Sequence, residues 1–223
     1  MDCATTTVRP ADRPAPDRAS ARAYEAAVGC SPSKRLFDVA AALGLLLFFA
    51  PLLVAIALAV RATSKGPALF RQRRTGRGGR VFQIYKFRTM SVMEDGQVRA
   101  ACKGDPRVTP IGAILRRSSL DELPQLLNVI RGDMSLVGPR PHAVAHDEVY
   151  AAVLPEYVDR FRARPGLTGL AQVNGHRGEV QTLDGLRARV AHDNHYIAQW
   201  SLILDVRILV ATSVRIWRDE RAY

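Results

Sequence analysis

Residues 39–60 read VAAALGLLLFFAPLLVAIALAV and contain no charged or amide side chain. As an α-helix this stretch would be about 33 Å long, close to the roughly 30 Å hydrocarbon core of a bilayer. A helix in the core of a soluble protein normally presents a polar stripe to water, and this stretch has none. The pattern therefore predicts a membrane segment rather than a buried core helix.

Positive residues lie on both sides of the apolar stretch. Lys34 and Arg35 precede it, and Arg61 and Lys65 follow it. Because positive charge favours the cytoplasmic side, the flanks compete if the helix spans the bilayer and agree if it enters and leaves by one face. Pro51 favours a kink near the middle. Both a re-entrant helix and an ordinary spanning helix fit these features. In either case the residues expected at the membrane interface are Lys34, Arg35 and Asp38.

The rest of the composition is that of a basic folded protein. The 223 residues carry a formal net charge of +11. We predict a disordered polar tail over 1–33, whose charges cancel, a membrane helix over 34–65 and a cytosolic domain over 66–223. Residues 61–88 contain no acidic residue and many basic ones, which indicates a surface that faces phosphate groups. The three cysteines are too far apart for a disulfide framework or a cysteine zinc site.

The predicted fold class is α+β and mainly helical. Residues 68–72 and 81–87 look like two strands around a glycine-containing turn at 75–79, which predicts a small β-hairpin. The helix predicted over the last segment either packs in the core or lies as an amphipathic helix on the membrane surface. Apolar periodicity predicts helices over 111–117, 120–130, 149–161, 183–196 and 202–217.

The first motif that indicates chemistry is RRSSLDELPQL at 116–126. Ser119 and Glu122 have the S-x-x-E spacing of a capping box, so one interpretation is a helix start. The other is chemical: the adjacent carboxylates of Asp121 and Glu122, close to two arginines, stay ionised and can hold Mg²⁺ or attack phosphorus. Spacing alone leaves both interpretations open.

The second motif is GDMSLVGPRP at 132–141. Prolines on both sides of Arg140 restrict the backbone, which would pre-organise a guanidinium suited to bidentate phosphate binding. The alternative interpretation is a proline-stiffened surface loop.

The third motif is RPGLTGLAQVNGHRGE at 164–179. Its closely spaced glycines allow backbone amides to approach an anion, and Arg177 offers a polar group to a nucleotide or sugar. The spacing matches neither the dinucleotide fingerprint nor the P-loop, so neither fold is supported.

Two histidine pairs have the helical spacing of metal ligands. They are His142 with His146 and His192 with His195. No third ligand follows in a recognised order, and the HExxH pattern is absent. We therefore favour structural or exposed histidines.

Taken together, these segments resemble the bacterial sugar transferases, the monotopic polyprenyl-phosphate phosphoglycosyl transferases. The resemblance covers roughly 34–220 and depends on an ordered set of motifs, which is far more specific than any one of them. Besides the three motifs above, it is carried by KRLFD at 34–38, GP at 66–67, FRQ at 70–72, YKFRTM at 85–90, PGLTG at 165–169 and WSLILD at 200–205.

The resemblance implies a re-entrant helix that leaves the whole active site on the cytoplasmic face of the bacterial inner membrane. It also implies transfer of a sugar 1-phosphate from a UDP-sugar to undecaprenyl phosphate, with release of UMP, as the first membrane step of exopolysaccharide or other surface glycan synthesis. The segment 175–179 looks most like the hexose-transferring members, which favours galactose or glucose. Relatives often have serine before the kink proline, where this chain has Ala50.

The resemblance further implies the roles of individual residues. Asp121 would be the nucleophile that forms a sugar-phosphoryl-aspartate, and Mg²⁺ would be held by Asp121 and Glu122. The implied partners are the UDP-sugar, undecaprenyl phosphate and membrane lipids, and a homodimer is compatible with the sequence. The residues expected to bind substrate are Lys86, Arg88, Arg116, Arg140 and Arg177.

Two functions from other classes also fit parts of the sequence. A membrane-tethered nucleic-acid binder would explain the basic segment 61–88, but no helix-turn-helix, zinc finger or RNP-like motif is present. A membrane scaffold for a polysaccharide complex would bind partners and leave UDP-sugars intact. We expect no nucleic-acid partner and retain the transferase as the first hypothesis.

Overall fold

The computed structural model describes residues 27–91, 105–178, 180 and 182–218. Most of the predicted tail therefore lies outside the described residues. The last residues assigned to it, 27–33, belong to a short helix α1 (Ala27–Cys30) and to the start of the long helix α2 (Pro32–Thr63). Val28 is buried in the main core, so this part of the chain packs against the folded body.

Helix α2 contains the apolar stretch that was predicted as a membrane segment. Ser31 caps its start by accepting a hydrogen bond from the backbone nitrogen of Lys34 at 3.3 Å, and Pro32 occupies the first turn. Its 32 residues continue through Pro51 without a break in the helix. Within the described residues it is the one helix long and apolar enough to cross a membrane, and 11% of its most apolar window is buried.

Both ends of α2 pack against the same body, whereas the middle does not. Ala42 near the first end lies in the main core, and Ile56 and Val60 near the second end pack against Phe87 and others in a separate cluster. Between these contacts the side chain of Phe48 is 76% exposed. The apolar middle is therefore available to a non-aqueous phase, and the core-helix interpretation does not hold.

The predicted β-hairpin is confirmed. Strand β1 (Leu69–Thr75) pairs with the antiparallel strand β2 (Val81–Phe87), with Leu69 opposite Phe87. A short 3₁₀ helix (Arg77–Gly79) makes the turn, and Gly78 has a φ of +64°, which favours glycine.

The predicted helix over 120–130 is two different helices. Helix α3 (Pro110–Ser118) ends at Ser119, which has a left-handed φ of 58°. A 3₁₀ helix (Leu120–Gln125) follows, and it continues into helix α4 (Leu126–Arg131). Pro124 has no backbone N–H and therefore cannot extend a regular α-helix from Leu120.

A pair of three-residue parallel strands crosses the centre of the body. Strand β3 (Ser135–Val137) is followed by helix α5 (Val144–Val153) and a 3₁₀ helix (Pro155–Arg162), so the helix predicted over 149–161 is interrupted before a proline. Strand β4 (Gly166–Thr168) returns beside β3. A Cβ at Gly166 would lie 2.1 Å from the nitrogen of Gly138, so this close approach requires glycine.

The last three helices close the fold. Helix α6 (Leu170–Val173) leads to α7 (Leu183–Ala198) and α8 (Leu202–Arg218), and the last two match their predicted segments closely. Helix α8 buries Ile208 and exposes Ile203, Val206 and Val210. The fold is mainly helical with small β elements, as predicted. The main core is formed by Leu126, Val129, Met134, Leu136, Val137, Tyr196, Ile197 and Ile208.

Candidate active site

Asp121 lies in the 3₁₀ helix after α3 and is 8% exposed. Among the described residues, no group donates a hydrogen bond to its carboxylate. Burial and the charge of Glu122 raise its pKa to about 6, while the charges of Lys86, Arg140 and Arg116 lower it in part. The structure thus holds a carboxylate that is desolvated, has cations around it and makes no hydrogen bond to any residue that the structure describes.

Glu122 is the next residue and has the opposite environment. Its Oε1 accepts from Lys86 Nζ at 2.8 Å and from Arg140 Nη2 at 2.7 Å, and its Oε2 accepts from Arg140 Nη1 at 3.2 Å. Burial alone would raise the pKa of Glu122, but the charges and hydrogen bonds of Arg140 and Lys86 hold it well below its usual value. The charge of Glu122 in turn raises the pKa of Arg140. Glu122 therefore positions two cations beside Asp121.

Three separate segments bring this cluster together. Strand β2 supplies Lys86, the loop after β3 supplies Arg140, and the 3₁₀ helix supplies both carboxylates. The loop is stiffened by the two prolines that flank Arg140.

Ser119 does not form the capping box that the spacing allowed. The Glu122 backbone nitrogen bonds the Ser119 carbonyl oxygen at 3.2 Å, and the Ser119 side chain makes no cap bond. Its hydroxyl instead accepts from Arg177 Nη2 at 2.7 Å. Arg177 of the third motif is therefore hydrogen-bonded to the residue two positions before Asp121.

The other two arginines predicted to bind substrate lie in different places. Arg116 donates through Nε to the Thr89 hydroxyl at 2.9 Å, and its charge acts on Asp121. Arg88 is buried and donates through Nη2 to the backbone oxygen of Ser64 at 2.7 Å, at the end of α2. Arg116 thus belongs with the carboxylates, whereas Arg88 binds the residue that ends α2.

The residues predicted at the membrane interface face the protein. Lys34 and Asp38 are 2% and 1% exposed. Lys34 Nζ bonds Asp205 at 2.8 Å, and Asp38 accepts from the backbone nitrogen of Leu136 at 3.1 Å. Arg35 donates to the carbonyl oxygens of Val129 and Ile130, at the end of α4. These three side chains fasten the start of α2 to the body, while Pro51 lies in its exposed middle.

Sequence reasoning missed the anchors that hold the site's arginines. The Thr89 and Ser119 hydroxyls bind arginines 27 and 58 residues away along the chain. No local sequence pattern predicts a hydrogen bond between residues so far apart in the chain. The left-handed backbone of Ser119 is also invisible in the sequence.

The two carboxylates of the site offer few oxygens to a hard cation such as Mg²⁺. No group of three His, Cys, Asp or Glu residues that could hold a metal is found in the part of the chain that the structure describes. Asp121 has free carboxylate oxygens, whereas both Glu122 oxygens already accept from Arg140. Mg²⁺ is often bound by one or two carboxylates together with substrate phosphates, and Asp121 suits that arrangement.

Comparison with known proteins gives consistent matches. A UDP-glucose:undecaprenyl-phosphate glucose-1-phosphate transferase of Caulobacter vibrioides is 57% identical over 191 residues, which are 85% of this chain and 72% of that protein. The Escherichia coli protein of the same name is 48% identical over 85% of this chain, which spans only 41% of that relative. The exopolysaccharide production protein ExoY of Rhizobium meliloti is 41% identical over 86% of this chain and 88% of its own length.

The family model for bacterial sugar transferases matches residues 30–219, which include α2, the hairpin and all three motifs. The ordered motifs had predicted this membership. The chain therefore belongs to the bacterial sugar transferase family.

Proposed function

We propose that this chain is a phosphoglycosyl transferase that moves a hexose 1-phosphate from a UDP-sugar to undecaprenyl phosphate and releases UMP. The observation that carries the proposal is the buried Asp121 carboxylate, which has no hydrogen-bond donor in the described part of the chain and lies among Lys86, Arg116 and Arg140. The names of the relatives support the reaction class, and the Caulobacter vibrioides relative favours glucose as the hexose. The step would begin exopolysaccharide synthesis.

The first half-reaction is an attack by an Asp121 carboxylate oxygen on the β-phosphorus of the UDP-sugar. The bond from that phosphorus to the bridging oxygen breaks, UMP leaves, and a sugar-phosphoryl-aspartate remains. A phosphate oxygen of undecaprenyl phosphate then attacks the same phosphorus, and the phosphorus–Asp121 bond breaks. The carboxylate is regenerated, so no oxidant, reductant or further co-reactant is required.

The cations around Asp121 suit this chemistry. Phosphoryl transfer needs little from the protein beyond alignment and stabilisation of charge on the phosphoryl oxygens. Arg140 and Lys86 are held in place by Glu122, so they need little reorganisation when the substrate binds. Arg116 is held by the Thr89 hydroxyl, and Arg177 by the Ser119 hydroxyl.

A magnesium ion would be held by Asp121 and the substrate diphosphate, with Glu122 close by. It would offset negative charge on the diphosphate when bound. The cations of this chain would orient the diphosphate and offset part of the rise in the pKa of Asp121.

We also propose that α2 enters and leaves the membrane by its cytoplasmic face. The contacts of both helix ends with one body, and the exposure of the residues between them, support a re-entrant arrangement. The basic segment 61–88 and the exposed apolar face of α8 would then lie near lipid headgroups. This arrangement brings Asp121 to the level at which a lipid phosphate sits.

UMP release tests the reaction. Purified protein in nanodiscs would receive Mg²⁺, undecaprenyl phosphate and a panel of UDP-sugars, with Asp121→Asn as the control. Acceptor-dependent UMP from a UDP-hexose, absent in the variant, is the expected result. A folded protein that releases no UMP from any sugar would contradict the transferase and favour the scaffold. Salt-sensitive binding of DNA or RNA without turnover would favour the nucleic-acid binder.

Cysteine labelling tests the membrane arrangement. In a variant without the native cysteines, Ser33→Cys and Lys65→Cys place one label on each side of the apolar stretch at exposed positions. We expect both to react with an impermeant reagent from the same face of sealed vesicles. Labelling from opposite faces would mean that α2 spans the bilayer.

A further inference from the structure

A second group of polar side chains is buried behind the Arg140 loop, and the chemistry described above does not use it. It connects the loop to α5, to the 3₁₀ helix after α5 and to α7. Each of these residues is at most 9% exposed, although several are ionisable. We call this group the loop network, and its members are His142, Asp147, Tyr157, Arg160, Arg189 and Asp193.

The hydrogen bonds of His142 define its tautomer. Tyr157 donates its hydroxyl hydrogen to Asp147, so the Tyr157 oxygen can only accept from His142 Nδ1, at 2.6 Å. His142 Nε2 is then the acceptor for Arg189 Nη1 at 3.0 Å. Burial, together with the charges of Arg160 and Arg189, holds the pKa of His142 well below its usual value. The imidazole is therefore neutral and links a guanidinium to a phenol.

Arg160 connects the network to the backbone of the active-site loop. Its Nη2 donates to the carbonyl oxygen of Arg140 at 2.6 Å, and its Nε donates to Asp193 on α7 at 2.8 Å. Its Nη1 lies 3.1 Å from His142 Nδ1. Arg160 therefore holds the Arg140 end of the turn directly, while Tyr157 and Arg189 hold the His142 end, two residues later.

The other face of this loop is the active site. The Arg140 side chain binds both oxygens of Glu122, as described above. The direction of that side chain depends on the backbone from which it starts, and the backbone is fixed from behind by Arg160 and His142. A small rotation of the loop would separate Arg140 from Glu122 and from the phosphoryl oxygens.

We propose that the loop network holds Arg140 in the position from which its guanidinium binds Glu122. His142, Tyr157 and Arg160 are then positioning residues for phosphoryl transfer. The inference rests on the proposed function and adds to it the residues that set the geometry of its main cation. Stability alone is a poor account of the network, because well-packed apolar residues often serve a core as well as buried charges do.

A matched pair of tyrosine variants tests the proposal. Tyr157→Phe removes the hydroxyl between His142 and Asp147. Tyr196→Phe removes an equally buried hydroxyl that binds Asp205 and the Val137 carbonyl oxygen, and none of its hydrogen bonds in the described residues reaches the loop network. We expect Tyr157→Phe to lower kcat/KM for UMP release by roughly 10-fold per folded molecule, since small misplacements of a catalytic group have large effects. Tyr196→Phe should change it less than about twofold.

A double-mutant cycle distinguishes positioning from general loosening. If the network acts through Arg140, Tyr157→Phe should have almost no further effect in an Arg140→Ala background. Equal losses in both backgrounds would overturn the proposal. If Tyr157→Phe does not fold, Arg160→Lys takes its place, because lysine keeps the charge and loses the fork that joins Asp193 to the Arg140 carbonyl oxygen.

Hydrogen exchange provides a readout that does not require turnover. Peptides covering residues 139–147 should exchange faster in Tyr157→Phe than in wild type, and Tyr196→Phe should change them less, because its own hydrogen bond reaches the chain at Val137, before this segment. Unchanged exchange in Tyr157→Phe would overturn the proposal. A wild type that releases no UMP would contradict the proposed function, while this exchange comparison would still test the network.

Discussion

The contact between the start of α2 and helix α8 and the 3₁₀ helix of the candidate active site each bury a carboxylate, but the two carboxylates have different surroundings. Asp205 accepts from Lys34 at 2.8 Å, from the Tyr196 hydroxyl at 2.7 Å and from the Trp200 indole at 3.1 Å. Asp121 accepts from no group in the described residues and has a pKa raised to about 6. A carboxylate with donors fastens two elements together, whereas one without donors is available to react. The distinct surroundings agree with a structural role for Asp205 and with the chemical role proposed for Asp121.

The largest effect should come from exchanging each carboxylate for an amide. Asp121→Asn should lower UMP release by about 10⁴-fold or more and leave folding intact, because the nucleophile is lost and no hydrogen bond is broken. Asp205→Asn should keep the activity of folded molecules and lower the free energy of unfolding by about 2 kcal/mol, since it removes the nearer of the two carboxylates that Lys34 faces and leaves Asp38 at 3.8 Å. Initial rates and thermal unfolding in detergent measure both. If both variants lost turnover and were equally stable, the distinction between a reactive Asp121 and a structural Asp205 would be wrong.

Next in size is the effect of the cation that Glu122 holds. Arg140→Ala should lower kcat/KM for the UDP-sugar by about 10²-fold, because a pre-organised charge opposite the phosphoryl oxygens is removed. Arg80→Ala, which removes the same charge from an exposed position after the hairpin turn, is the control. Steady-state kinetics with varied UDP-sugar would show the difference. If the two variants behaved alike, Arg140 would lie outside the site.

The pH dependence of the reaction should follow Asp121. As the pH falls through about 6, the carboxylate takes up a proton and can no longer attack, so kcat/KM should fall. The charge of Lys86 lowers the pKa of Asp121, and Lys86→Met should therefore move this acid limb to higher pH. Arg73→Met on β1 is the matched control. If the acid limb of the pH profile does not move in Lys86→Met, the pH dependence does not arise from Asp121.

The smallest effect concerns stability and His142. Its pKa in the folded protein is well below the ordinary 6.5, so the unfolded chain binds a proton that the folded chain does not as the pH falls below 6.5. Stability should therefore fall on acidification, by up to about 1.4 kcal/mol per pH unit from this group. His142→Gln should flatten the dependence of the unfolding temperature between pH 7 and 5, and His195→Gln should not. Equal slopes in the two variants would contradict a buried neutral His142.

The parts of the fold that could be predicted carry a local signal. The uninterrupted apolar stretch predicted α2, and two strand-like segments around a glycine turn predicted the hairpin. Prediction failed where a proline changed the helix type, as at Pro124 and Pro155. It also missed β3 and β4, because three-residue strands that pair across almost 30 residues leave no periodic pattern.

The candidate site shows the same division. Motifs identified the carboxylate pair and Arg140, because the residue types themselves indicate phosphate chemistry. The surroundings that give each residue its role come from distant segments: Lys34 meets Asp205 across 171 positions, and Arg140 meets Glu122 across 18. Lys34 and Asp38 were placed at the membrane interface because they flank an apolar stretch, and only the tertiary structure reveals that their side chains are buried.

The central claim is that Asp121 reacts covalently, and intact-protein mass spectrometry tests it most directly. The protein would be mixed with the UDP-hexose that supports turnover, without undecaprenyl phosphate, and quenched in acid. We expect an added mass of one hexosyl phosphate, located on Asp121 by peptide sequencing, lost when undecaprenyl phosphate is added and never formed in Asp121→Asn. Full turnover of the lipid acceptor with no adduct at any time, or an adduct on another residue, would contradict the account.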